Sequence, residues 1–186
     1  MRDLAAPNLA APNLAAPALA APDLVVAELT APALVAAEPA APALVAARPR
    51  YDDVDKGTRL PALVHRIRRV DLVRYAGASG DFNVIHWSDR VASAAGLPGV
   101  IAHGMLTLGV AVRLASEWSG DPAAVVRCGG RFAKVVPVPD DMRGVDLVVE
   151  GVVAQKLDRP RVKVELTVRC AGVKVLTRCF AVVALD

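Results

Sequence analysis

YAGASGDFNVIHWSDRVASAAGLPGVIAHGMLTLGV, residues 75–110, places an acid, an amide and an imidazole within six positions, as Asp81, Asn83 and His86. A second imidazole and a glycine, His103 and Gly104, then open a nearly all-apolar run. From residue 104 to 118, Met105, Leu106, Leu108, Val110, Ala111, Val112, Leu114 and Ala115 fall around almost the whole helical circumference. A helix apolar on nearly all sides is a buried one. Upstream, two glycines with Asp81 and Asn83 favour a loop over residues 77–86. Ser88 is placed to cap a short helix over 89–95, which Gly96, Pro98 and Gly99 end. The stretch therefore reads as a reactive loop set beside a buried helix.

Working outward, residues 60–69 read as a strand and 70–76 as a short helix with Asp71 as its cap. Beyond Gly120 and Pro122 the period changes to alternation. Val162, Val164, Leu166, Val168 and Cys170 share one face, opposite Arg161, Lys163, Glu165, Thr167 and Arg169, as in a half-buried antiparallel strand. Residues 125–136, 145–156 and 173–185 read as three more strands, the last apolar enough to lie inside a sheet, joined by hairpin turns at 139–144, 157–160 and 171–172. One strand, then helices, then four strands gives an α+β domain, a single hot-dog fold in which a curved antiparallel sheet wraps one long central apolar helix.

The chain of 186 residues is long enough for one sizeable core and short for two. Its net charge of +3 is modest and its basic residues form no blocks, so nucleic acid is not an expected partner. The three cysteines, Cys128, Cys170 and Cys179, lack metal-ligand or paired spacing and sit among apolar residues, which fits a reducing, cytoplasmic setting. The longest apolar run, interrupted by His103 and Arg113, is too short to span a membrane, and the N-terminus does not look like a signal peptide.

Residues 1–50 are of another kind. DLAAP, NLAAP, NLAAP and ALAAP end at Pro7, Pro12, Pro17 and Pro22, and looser repeats follow to Pro42. A proline at every fifth position blocks the helix that alanine prefers, and one leucine per repeat buries too little to offset ordering entropy. A disordered, partly polyproline-II-like tail is expected, ahead of a domain spanning 51–186.

Asp81 and His86 are five positions apart, so a regular helix would not bring them to one face, but a tight loop can. A carboxyl and an imidazole with separated pKa values suit a reaction that moves two protons, one group as base and the other as acid. Asn83 can orient the loop or a water. The amide end of the following helix, at Gly104, can hold a developing oxyanion, and a glycine there allows close approach of a carbonyl. Together these parts suit an enolate next to a carbonyl.

GDFNVIH, residues 80–86, resembles the hydratase-2 motif of the MaoC-like family, and the similarity extends through AHGMLTLG (102–109) and RFAKVVPVPDD (131–141). Within that family the chain most resembles the catalytic B subunit of the actinobacterial (3R)-hydroxyacyl-ACP dehydratase of type-II fatty acid synthase. The resemblance implies catalytic Asp81 and His86, support from Asn83 and a Gly104 backbone oxyanion hole. It implies interconversion of (3R)-3-hydroxyacyl and trans-2-enoyl thioesters, on acyl-ACP in elongation or on acyl-CoA as an R-specific hydratase, without cofactor. A noncatalytic acyl-binding hot-dog subunit is the competing reading, and the intact Asp81 and His86 speak against it. A hot-dog dimer is expected, either a homodimer or a heterodimer with a noncatalytic subunit. The chain departs from the family at Val84, where proline is usual; valine restores an N–H and frees the preceding residue's backbone.

His103 is expected to anchor the helix start beside the substrate, with direct proton transfer as the alternative, and Phe82 and Trp87 to flank the site and wall the pocket. His65 reads as structural. Arg127, Arg131 and Lys134 read as a solvated face, with contact to the phosphates of a carrier arm as the alternative. No metal site is expected, because His86 has no second ligand at a familiar spacing.

Overall fold

The computed structural model describes residues 48–185, so the proline-rich repeat lies outside the described residues. The regular elements are β1 (Leu63–Ile67), α1 (Arg69–Ser79), α2 (Asp89–Ala94), α3 (Gly104–Ser119), β2 (Val125–Phe132), β3 (Val145–Lys156), β4 (Arg161–Cys170), β5 (Val173–Lys174) and β6 (Leu176–Ala184). The strands form one sheet in the order β1-β3-β4-β6-β2, with β5 paired to β4. All pairings are antiparallel. This is the hot-dog arrangement expected from the α+β pattern.

The alternation in β3 and β4 sets the register. Val149 faces Val168, and Val153 faces Val164, so one apolar row on each strand points the same way. Leu147, Val149, Val153, Val164, Leu166 and Val168 are all buried, and they pack with Ala111, Leu114 and Ala115 of α3 in one core. Burying a side chain of this size contributes about 1.5–3 kcal/mol. Gly151 lets the helix come close: a Cβ there would lie 3.1 Å from the Leu114 side chain and 3.0 Å from Leu60. The strand is thinned where the helix crosses it.

Four expectations are corrected. Asp71 is not the cap of α1 but its third residue, where its carboxylate accepts from the Arg68 N–H at 2.9 Å. The strand read over 125–136 stops at Phe132. Proline offers no amide to a ladder, and Pro137 and Pro139 stand in a segment that pairs instead with the residues ahead of α3, through Ala102 N–H to Val136 O (2.8 Å) and Val138 N–H to Val100 O (2.9 Å). The last strand is split into β5 and β6, and its register against β2 shifts between the pairs Gly129–Phe180 and Arg131–Thr177, where Arg178 has φ 51°. Finally, α3 is not covered all round: one sheet shields one side, and Met105, Gly109, Val112 and Ser116 form a small-to-apolar stripe that stays wholly or partly exposed. Met105 is 58% exposed.

Candidate active site

The loop between α1 and α2 is shaped by its own short polar side chains. Gly80 ends α1 in the left-handed conformation (φ 75°) and donates to Ala76 O. Asp81 then accepts from the Asn83 N–H at 3.2 Å, and Asn83 accepts from the Ile85 N–H at 3.3 Å. Two successive turns of this kind hold the chain without regular structure. Residues Val84–His86 close as a single 3-10 turn, and Ser88 caps α2 by accepting from the Val91 N–H. Asn83 thus orients the loop. Its backbone (φ −55°, ψ 127°) lies in the region that a following proline would impose, although Val84 follows.

The turn drives His86 inward. Its ring is 8% exposed, and Nδ1 lies 2.8 Å from Ile101 O. A carbonyl only accepts, so Nδ1 carries the hydrogen, and the lone pair of the neutral ring is at Nε2. That nitrogen is 4.0 Å from Asp81 Oδ2, whose side chain is 51% exposed. The separation is longer than a hydrogen bond.

His103 immediately precedes α3, but its side chain does not cap the helix. Nε2 instead donates to the backbone carbonyl of Asp81 at 3.0 Å, so it anchors the loop to the helix start. The ring is 1% exposed and stacks on His86 at 3.8 Å with 26° between planes; Tyr75 of α1 covers it at 4.8 Å. Burial holds its pKa below the ordinary imidazole value, with the nearby His86 adding to the effect and the bond to Asp81 opposing it.

A groove of about 260 Å³ opens on this arrangement, lined by His86, Ile101, Ala102, Gly104, Thr107, Lys134, Val136 and Leu176, with Phe132 across it. Gly104 is the first residue of α3, so its N–H has no acceptor within the helix. A Cβ on Gly104 would meet the Phe132 ring at 3.1 Å. A cavity of similar size, about 250 Å³, lies elsewhere, among Arg48, Arg50, Ser119 and Asp121, and has no imidazole.

The sequence-predicted residues divide accordingly. His86, Gly104 and the neighbouring Asp81 and His103 come together. Phe82 and Trp87 are not in the groove lining; they are 64% and 56% exposed, and the Trp87 indole N–H donates to Phe82 O at 3.2 Å. Lys134 reaches the groove, whereas Arg127 lies over the Phe180 ring at 5.9 Å on the sheet. Two residues escaped the sequence reading. Phe132 does so because its place depends on where β2 stops. Arg69 does so because its partners are remote: it donates to Val138 O and to Asp89 Oδ1, and that same oxygen accepts from Val100 N–H. Arg69 and the Val100 amide hold the Asp89 carboxyl below its usual value.

Asp81, His86 and His103 offer donor atoms within 4.8 Å of one another. Two of the ring nitrogens are already engaged, His86 Nδ1 with Ile101 O and His103 Nε2 with Asp81 O.

The MaoC like domain matches residues 54–171. The chain belongs to this family. Over 79 residues it is 46% identical to 3-hydroxyacyl-thioester dehydratase X of Mycobacterium tuberculosis, covering 42% of this chain and 27% of that protein. Enoyl-CoA hydratase 2, peroxisomal, of Arabidopsis thaliana is 37% identical over 39% of this chain and 24% of that protein. The chain thus matches about a quarter of the length of these curated relatives. A solved MaoC-like dehydratase is 40% identical with a TM-score of 0.70, over 75% of this chain and 43% of that one. The R-hydratase PhaJ1 of Pseudomonas aeruginosa is 27% identical with a TM-score of 0.64, over 74% of this chain and 85% of that one. Among the described residues no helix is long and apolar enough to cross a membrane.

Proposed function

We propose that the chain is a hydro-lyase that interconverts a (3R)-3-hydroxyacyl thioester with the trans-2-enoyl thioester and water. The observation that carries this reading is the fixed tautomer of His86: with Nδ1–H donated to Ile101 O at 2.8 Å, Nε2 is left as a base 4.0 Å from the Asp81 carboxyl, beside the Gly104 amide. In dehydration, Nε2 removes the C2 proton and the electron pair moves toward the thioester oxygen, which the Gly104 N–H stabilises. As the C3–O bond breaks, the departing oxygen takes a proton from Asp81 and leaves as water. Hydration retraces these steps, with Asp81 accepting from the attacking water and His86 returning a proton to C2.

Acyl-ACP in fatty acid elongation is the preferred substrate class, on the subunit-level resemblance in the sequence. The similarity to a protein named enoyl-CoA hydratase 2 favours acyl-CoA as the second reading. Lys134, at the groove, is placed to meet a phosphate of either carrier arm. A second hot-dog subunit, identical or noncatalytic, would cover the Met105–Gly109–Val112–Ser116 stripe of α3 and the free edge of β2. Hydration of trans-2-enoyl-CoA and trans-2-enoyl-ACP, followed by ultraviolet loss of the conjugated thioester, tests the reading. Turnover that is absent on both carriers, or that survives in folded Asp81→Asn and His86→Ala variants, would reject it.

A further inference from the structure

His103 does more than its packing requires. A neutral imidazole that donates from Nε2 to Asp81 O presents Nδ1 as a lone pair, and Nδ1 is buried without a hydrogen-bond partner. A buried acceptor without a partner is destabilising, so an apolar ring would serve better if filling space were all that mattered. The imidazole nonetheless touches both halves of the acid–base pair: its N–H ties the backbone of Asp81, and its face lies 3.8 Å from the face of His86. The charged and titratable groups around it are His86 and Asp81 from the loop and Tyr75 from α1.

We infer that His103 is a positioning residue whose ring fixes the spacing of His86 and Asp81 and keeps water from the inner face of His86. This rests on the dehydratase reading of the site. A second proton on the stack would set two cations face to face, so the ring that must change charge during turnover is His86 alone. His103 holds the register through one hydrogen bond and one stacked contact, and the two contacts are separable by substitution.

His103→Gln keeps an N–H for Asp81 O and loses the ring, whereas His103→Phe keeps the ring and loses the N–H. Small misplacements of reacting groups reduce turnover steeply, so kcat is expected to fall roughly tenfold in each and about 100-fold in His103→Ala, with KM within about threefold. Only the variants that lose the ring admit water to His86. Better solvation of the imidazolium then moves the acidic limb of the kcat/KM profile to higher pH, while His103→Phe leaves the limb in place. Folded variants with wild-type kcat and an unmoved limb would reduce His103 to a structural anchor and overturn the inference. So would a loss confined to KM, which would make it a substrate contact. His86→Ala separates the two failures: if it stays active the dehydratase reading fails, and if it is dead while His103 variants behave as wild type only the positioning role fails.

Discussion

The loop over residues 80–88 and the strap over 99–104 lie against each other and are built in opposite ways. The loop is held by Asp81 and Asn83 through their own side chains, and its carboxylate stands half in solvent. The strap is paired with both neighbours, donating from Ile101 to Ile85 O on one side and exchanging bonds with Val136 and Val138 on the other, and His103 at its end is buried. His86 belongs to the loop by sequence and to the strap by its bond to Ile101 O. The two groups of the proposed acid–base pair are thereby divided between a wet surface and a dry one.

The largest effects should fall on rate and should differ in their side effects. Asp81→Asn and His86→Ala are each expected to lower kcat by about 10²–10⁴, as loss of a general acid or base does. At the exposed carboxylate the change should leave stability within about 0.5 kcal/mol. At the imidazole it strands the buried Ile101 carbonyl and should also lower stability by about 1–3 kcal/mol. Paired kinetics and urea melts read both quantities. Equal stability losses would erase the contrast between the two surfaces.

Gly104→Ala probes the floor where loop, strap and helix meet. The added methyl would press on the Phe132 ring at 3.1 Å and obstruct the first-turn amide of α3. Turnover is expected to fall about 10²-fold, the usual loss for one oxyanion donor, with stability reduced by about 1 kcal/mol from overpacking. Adding Phe132→Ala should remove the steric strain without restoring turnover. If the double variant regains full activity, the amide is not the oxyanion contact and the glycine serves the phenylalanine alone.

What could be read from the sequence follows from how local each determinant is. Gly80, Asp81, Asn83 and Ser88 act within a few residues of themselves, so the loop from Gly80 onward and the α2 cap were legible, as were β3 and β4 from alternation, although Gly77–Ser79, expected in the loop, continue α1. The missed features depend on remote partners. Nothing in residues 125–136 says that the chain after Phe132 turns to meet Val100 and Ala102, so the sequence points to Phe82 and Trp87 as the groove's aromatics. Likewise, an all-round apolar α3 could not disclose which side its own sheet would cover. Hydrophobic pattern says that a face is to be buried but not by which chain.

A smaller effect should appear in stability against pH. Burial lowers the pKa of both His103 and His65, and Arg113 adds to the lowering at His65. The unfolded chain therefore binds these protons first, so stability is complete above the unfolded value near 6.5 and declines as pH falls below it. Asp89 and Asp146, held low by Arg69 and Arg66, weaken the fold only at more acidic pH, below the ordinary carboxylate value of 3.8. Urea melts at intervals from pH 7 to about 5 should show the imidazole phase, and His103→Phe should reduce it while His65 retains its share. An unchanged phase would mean that the strap is less dry than the hydrogen-bond geometry implies.

The smallest effect is the most direct check on the loop. Its family resemblance leads one to expect proline at position 84, and valine stands there. Asn83 already has the extended backbone (φ −55°, ψ 127°) that precedes a proline, and Val84 opens a 3-10 turn, where φ near −60° is normal. The two side-chain turns from Asp81 and Asn83 therefore set the path that proline would otherwise impose. Val84→Pro should then fit the folded loop, restrict the unfolded chain and raise stability by about 0.4–1 kcal/mol, with kcat unchanged within about twofold. Thermal melts and kinetics together decide the point. A destabilised or slowed variant would show that the valine loop follows a different path, with the Asp81–His86 spacing maintained chiefly by His103 and the strap.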